Sequence, residues 1–207
     1  MFDGIIFDLD GTLWDATEVI CKTWNIILKS YSGVRNEPIT VSELEGCMGL
    51  QLDEIGKRLF KNVNNKLRKE LMDKCCDLEC VYLAKDGGNL FPNVEKTLKT
   101  LSEKYKLFIV SNCQCGYIES FYEGHNLEKY FTDKLSAGET GLSKGENNKI
   151  IIERNNLKNP IYVGDTQGDK QSAIDAGIPF VYAEYGFGSV NGYDYKIEKF
   201  EDLVKLF

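Results

Sequence analysis

Apolar residues along this chain fall into short, nearly continuous runs separated by stretches of helical spacing. The first run, Gly4, Ile5, Ile6 and Phe7, is too brief for a helix and is bounded by the turn pair Asp10 and Gly11, which predicts a buried strand. Similar runs occupy 107–110, 160–163 and 179–182, with a weaker one at 134–137. Between them Val94, Leu98, Leu101 and Tyr105 recur at spacings of four, three and four, and 150–154 and 171–176 also read as helix. Alternating strands and helices predict an α/β protein, a three-layer Rossmann-like parallel sheet with helices on both faces.

From about 15 to 87 the alternation stops, and only helical patterns remain. Ile20, Trp24, Ile27, Leu28 and Tyr31 share one helix face, and Thr40 with Glu43 has the spacing of a capping box. Leu52, Ile55 and Leu59, then Leu67, Leu71, Cys75, Leu78 and Tyr82, mark two further amphipathic helices. The expected division is a core of 1–14 and 88–207 with an inserted all-helical cap at 15–87. Such a cap is small enough to be marginal alone, so it is expected to lean on the sheet as a lid over a cleft, with 85–89 as its flexible return.

Composition narrows the class of partner. The chain has 207 residues, 43% hydrophobic and 28% charged, the balance of an ordinary globular protein. A net charge of −7 is the wrong sign for binding a phosphate backbone, so nucleic acid is not expected. No run approaches the ~20 apolar residues of a membrane span. The first residues run into a strand without a basic leader, and seven scattered cysteines suit reduced thiols; together these predict a cytoplasmic protein. Cys75, Cys76 and Cys80, and Cys113 with Cys115, lack the paired spacing of a zinc site.

Ligands of an open parallel sheet bind beyond the carboxyl ends of its strands. Polar groups from four segments converge on that edge: Asp8, Asp10, Gly11 and Thr12 after the first strand, Ser111 and Asn112 after the second, Lys144 before the fourth, and Asp165 with Asp169 after it. Asp8 and Asp10 are two apart, so in extended chain both face the same side while Leu9 turns inward. Asp165 and Asp169 bracket a loop-to-helix transition where oxygen ligands can meet a hard cation, and three or four carboxylates around one point suggest Mg2+. Gly11 and Gly168 permit close backbone approach, Thr12 and Ser111 supply donors to an anion, and Lys144 adds positive charge. The set describes nucleophilic displacement at phosphorus.

In order and strand context these segments resemble the four motifs of the haloacid dehalogenase-like hydrolase superfamily, in particular its phosphoglycolate phosphatase and β-phosphoglucomutase-like branch. Residues 176–179 and 185–188 resemble its closing segment. The resemblance implies a strand order 3-2-1-4-5, Asp8 as nucleophile, and Asp10 as acid and base. It also implies phosphate contacts at Gly11, Thr12, Ser111, Asn112 and Lys144, and Mg2+ held by Asp8, Asp165 and the Asp10 carbonyl. Asp169 either ligates the metal or holds Lys144.

The expected activity is a Mg2+-dependent phosphatase acting on a small phosphorylated metabolite, as a monomer or weak homodimer. A phosphosugar mutase shares these residues; a receiver-like phosphate sensor shares the chemistry but gives the insert no role. A dehalogenase does not need Asp10, and nothing marks Lys22 or Lys57 as the Schiff-base lysine of a phosphonate hydrolase. Residues 46–51 resemble the family's specificity loop, with Gly49 and Arg58 expected to influence substrate ranking. His125 reads as a solvated loop residue, Trp14 and Trp24 as packing, and the Tyr-rich stretch 182–195 as packing too.

Overall fold

The structure, a computed structural model, describes residues 2–207. In chain order the elements are β1 (Gly4–Phe7), β2 (Trp14–Asp15), α1 (Thr17–Leu28), α2 (Val41–Glu45), α3 (Leu52–Leu59), α4 (Asn65–Asp86) and β3 (Asn89–Leu90). There follow α5 (Val94–Ser102), β4 (Lys106–Ser111), α6 (Tyr117–His125), β5 (Asp133–Ser136), α7 (Ala137–Thr140), α8 (Lys144–Arg154), β6 (Pro160–Gly164), α9 (Gln167–Ala176), β7 (Phe180–Ala183), β8 (Tyr195–Ile197) and α10 (Leu203–Leu206). Among the described residues no helix is long and apolar enough to cross a membrane.

The main sheet runs β5-β4-β1-β6-β7-β8, with every neighbouring pair parallel. Counted along the chain, its first five strands take the order 3-2-1-4-5. β8 is an addition at the edge, beginning at Tyr195, the last residue of the stretch 182–195 expected only to pack. It has three residues, of which only Ile197 is buried, too weak a pattern to read as a strand. β2 and β3 form a separate antiparallel ribbon where the chain leaves and re-enters the core.

Both faces of the central strands are covered, so β1, β4 and β6 read as continuous apolar runs. Alternation still sorts their side chains: Ile5, Phe7, Leu107, Ile109, Ile161 and Val163 join one core, while Ile6, Phe108, Val110 and Tyr162 join the other under α8 and α9. The first core continues without a break through Leu13, Trp14, Ile20 and Trp24 into α1–α4. The helical insert therefore shares its interior with the sheet.

Two sequence expectations need correction here. α4 buries Leu71, Met72, Cys75, Cys76, Glu79 and Leu83, a stripe rotated away from the expected line through Leu78 and Tyr82. The reason is that α4 packs against both α1 and α6, which widens its buried face; Tyr82 instead carries the Lys22 ammonium 5.2 Å above its ring. His125 is not a solvated loop residue. It ends α6, is half-buried, and sets its ring edge-on to Trp14 at 5.7 Å, with burial lowering its pKa.

The contact of α6 with the end of α4 is close enough to exclude any side chain at Gly124, where a Cβ would lie 2.4 Å from the carbonyl oxygen of Leu83. Gly124→Ala is expected to destabilise the fold by about 1–3 kcal/mol, read as a lower urea midpoint with an unchanged slope. The buried Glu79 carboxyl adds a pH signature, since burial pushes its pKa from the ordinary 4.5 up to about 8, against the lowering effect of Gln114 and Trp24. Between those values the folded chain keeps a proton that the unfolded chain has released, so its contribution to stability falls as pH rises, by at most ~1.4 kcal/mol per unit. Urea titrations at pH 5, 6.5 and 8 should show Glu79→Gln gaining stability relative to the parent as pH increases.

Candidate active site

β1 has partners on both sides in matched register, Phe7 lying opposite Ile109 of β4 and Val163 of β6. The three strands therefore end together, which brings the segments beginning at Asp8, Ser111 and Asp165 to one edge. The Asp8 N–H extends the ladder by donating to the Val163 carbonyl at 2.9 Å, which directs its buried side chain into that edge. Lys144 reaches the same point from the first turn of α8, whose start is set by a capping box between Ser143 and Glu146. Its Nζ donates to Asp8 Oδ1 at 2.7 Å and to Asp169 Oδ1 at 2.6 Å, with all three side chains at most 6% exposed.

The hydrogen bonds separate the two acids of the fourth segment. Asp169 stands at the third position of α9, where Oδ2 accepts from the N–H and hydroxyl of Thr166 at 2.9 and 2.6 Å. Oδ1 takes Lys144 and, at 3.4 Å, the hydroxyl of Tyr162. Asp165 is bound on one side only: the N–H groups of Phe187 and Gly188 donate to Oδ2 at 2.7 and 3.3 Å, and Oδ1 is buried without any partner. Gly11 and Gly186 close around it, where a Cβ at either would come within 2.3 Å of its side chain.

One oxygen each from Asp8, Asp165 and Asp169 can be chosen within 4.8 Å of one another. A buried, orphaned carboxylate oxygen beside a second carboxylate fits a divalent cation of the oxygen-ligated kind. Of the two roles left open for Asp169, the geometry favours holding Lys144, because both its oxygens already have donors.

Crowding three acids around one ammonium shows in their ionisation. Burial, reinforced by the Asp169 charge, raises the Asp8 pKa well above the usual carboxylate value against the pull of Lys144. Burial and Asp169 also push Asp165 up to about 7, opposed by the Phe187 N–H. Burial favours neutral Lys144, yet the Asp169 and Asp8 carboxylates outweigh it and hold the ammonium well above the ordinary lysine value. Asp10 sits half-buried, its Oδ1 accepting from the Tyr117 hydroxyl at 2.7 Å. Desolvation raises its pKa to about 6, with the Tyr117 bond acting in the opposite sense.

A cavity of about 60 Å³ opens onto Asp8, Asp10, Ser111, Asn112 and Lys144, closed on its far side by the helical insert. Gly11 and Thr12 do not line it. Thr12 is fully buried, its N–H donating to the Leu9 carbonyl at 3.3 Å in the turn after β1 and its own carbonyl accepting from the Tyr185 hydroxyl at 2.8 Å. Asn112 lines the cavity but donates to the Gly49 carbonyl at 2.9 Å, which pins the 46–51 loop over the site. Arg58 does not face the cavity; its guanidinium is bound to the Gly46 carbonyl at 2.6 Å.

Sequence reasoning missed Tyr117, Gln114 and Glu79, all on the cavity wall. Tyr117 follows the second strand's polar end by six residues and carried no motif. Glu79 had a usable signal, since it continues the spacing of Met72, Cys76 and Leu83, but a charged residue within an apolar stripe reads as its border.

Known proteins resemble this chain in sequence and in fold. Residues 5–183 match the family model of the haloacid dehalogenase-like hydrolases. The chain is 27% identical over 197 residues to the phosphoglycolate phosphatase of Aliivibrio fischeri, covering 88% of this chain and 84% of that one. It is also 27% identical over 193 residues to that of Rhodobacter capsulatus, covering 90% and 86%. A haloacid dehalogenase-like family hydrolase from Streptococcus pneumoniae superposes with a TM-score of 0.84 at 21% identity, covering all of this chain and 98% of the other. With its parallel sheet, its convergent acids and its lysine, the chain belongs to the haloacid dehalogenase-like hydrolase family, on the branch of the phosphoglycolate phosphatase-like phosphatases.

Proposed function

We propose that this chain is a Mg2+-dependent phosphatase that hydrolyses a small phosphorylated metabolite through an aspartyl phosphate on Asp8. The observation that carries the reading is the Lys144 ammonium bound to Asp8 and Asp169, next to the orphaned Asp165 oxygen and opposite an Asp10 poised near neutrality. Asp8, Asp165 and the Asp10 carbonyl would hold Mg2+, which when bound neutralises charge on the phosphoryl oxygens.

Asp8 supplies the nucleophilic oxygen. As its bond to phosphorus forms and the ester P–O bond breaks, Asp10 passes its proton to the departing alcohol oxygen. Asp10 is then a carboxylate and takes a proton from water attacking the aspartyl phosphate, which releases inorganic phosphate and restores Asp8. A pKa near 6 suits both halves of this cycle. Lys144 and Ser111 line the cavity where the transferring group would lie. The helical segment 15–87 acts as a cap whose 46–51 loop, tied to Asn112, keeps bulk water from the intermediate.

Three outcomes test this reading. Asp8→Asn should abolish turnover, while Asp10→Asn given acetyl phosphate and Mg2+ should accumulate up to one equivalent of hydroxylamine-labile phosphate on Asp8, located by mass spectrometry; a label on Ser111, or on Asp10 in the Asp8→Asn protein, would overturn the assignment. Asp165→Asn should raise the Mg2+ concentration needed for half-maximal rate far more than Asp169→Asn, whereas Lys144→Ala should lower kcat/KM for every substrate by roughly 10- to 150-fold, the worth of one charged hydrogen bond. Finally, turnover of an unactivated phosphate monoester should fall as pH rises through about 6, where Asp10 ceases to be an acid. Acetyl phosphate needs no acid and should show the opposite limb, a rise as Asp10 becomes a base.

A further inference from the structure

The wall that faces a leaving group comes from the helical cap, and it is apolar: Ile20, Trp24, Leu44, Met48, Leu50 and Ile55. Among the described residues lining the cavity the only cation is Lys144, already bound by two carboxylates. The cap's own cations are turned elsewhere. Arg35 pairs with Glu43 at 2.9 Å, Arg58 with the Gly46 carbonyl, Lys57 with Asp53, and Lys22 lies over Tyr82. A carboxylate on the leaving group would lose its hydration against this wall with no counter-charge to replace it.

The one acidic side chain that the cap contributes to the wall is Glu79, only 2% exposed. Trp24 Nε1 donates to one of its oxygens and Gln114 Nε2 to the other, an indole from the cap and an amide from the core. Burial keeps this acid protonated below about pH 8, and its carbonyl oxygen still has a free lone pair after both bonds are made, so Glu79 retains acceptor capacity. Among the described residues lining the cavity no cation pairs with it.

We infer that the substrate is a small phosphate monoester whose leaving alcohol presents a hydrogen-bond donor, hydroxyl or ammonium, to Glu79 and carries no carboxylate. This deepens the phosphatase reading and rests on it. It also separates the chain from its curated relatives, whose named substrate, phosphoglycolate, ends in a carboxylate.

The test is a set of nearly isosteric two-carbon phosphates assayed with Mg2+: phosphoethanolamine, ethylene glycol monophosphate, ethyl phosphate and phosphoglycolate, with acetyl phosphate reporting the chemistry alone. The expected order of kcat/KM places the amine or the hydroxyl first and phosphoglycolate last, with a gap of roughly tenfold or more; whichever of the first two leads identifies the donor. Phosphoglycolate in first place, or ethyl phosphate ahead of both donors, overturns the inference while leaving the phosphatase reading intact. No turnover of acetyl phosphate removes both. Glu79→Gln should shrink the donor-to-glycolate ratio by roughly tenfold, mainly through KM for the donor substrates. A uniform loss across all four esters would make Glu79 a support of the fold and overturn its role in selection, and the parent series stands as a test even where the variant does not fold.

Discussion

The site depends on one ammonium placed between two buried carboxylates. Asp8 and Asp169 lie on separate segments, and neither can be buried as an anion next to the other without a positive charge between them. Lys144 supplies that charge from a helix on the far side of the sheet edge, so its position requires the end of β1, the start of α8 and the start of α9 to meet within a few ångströms. Loss of this charge would leave two uncompensated acids in the core, a larger penalty than the loss of either hydrogen bond. The same ammonium binds Asp8 and Asp169 and leaves one Asp165 oxygen without a partner.

Around this pair the fold distributes tasks by local structure. The end of β1 delivers Asp8, the starts of α8 and α9 deliver Lys144 and the Asp169 that holds it, and the N–H groups of Phe187 and Gly188 grip one oxygen of Asp165 while the other stays unpartnered. The helical insert works through continuity: its interior is the same hydrophobic core that covers one face of the sheet, and the Asn112 bond to Gly49 ties its loop to the second strand. Neighbouring residues thus split their contacts, Ser111 lining the cavity and Asn112 binding the loop above it.

Four of the five principal strands were legible because burial on both faces produces runs that no surface helix imitates, while the edge strand β5, Asp133–Ser136, left only a weak run. β8 was not legible, since an edge strand of three residues with one buried side chain has no such signature. The α4 stripe was misplaced by the usual amphipathic reading, which assumes one buried face, whereas α4 is covered from two sides. His125 looked like a loop residue because Gly124 and Asn126 flank it; Gly124 is instead a point of backbone contact, and Asn126 ends the helix in a left-handed conformation at φ 55°.

By itself the sequence determined the α/β class, the helical insert and the identity of the acids, the lysine and the serine that reach one sheet edge. Those properties are local, since strand ends and helix starts place side chains wherever the strands themselves go. Only the tertiary structure decided which oxygen of which aspartate is already occupied, that Gly11 and Thr12 are not on the cavity wall, and that Tyr117, Gln114 and Glu79 complete it. Those residues come from elements far apart in the chain, and whether a side chain is paired, orphaned or turned away depends on distances that no spacing along one strand or helix encodes.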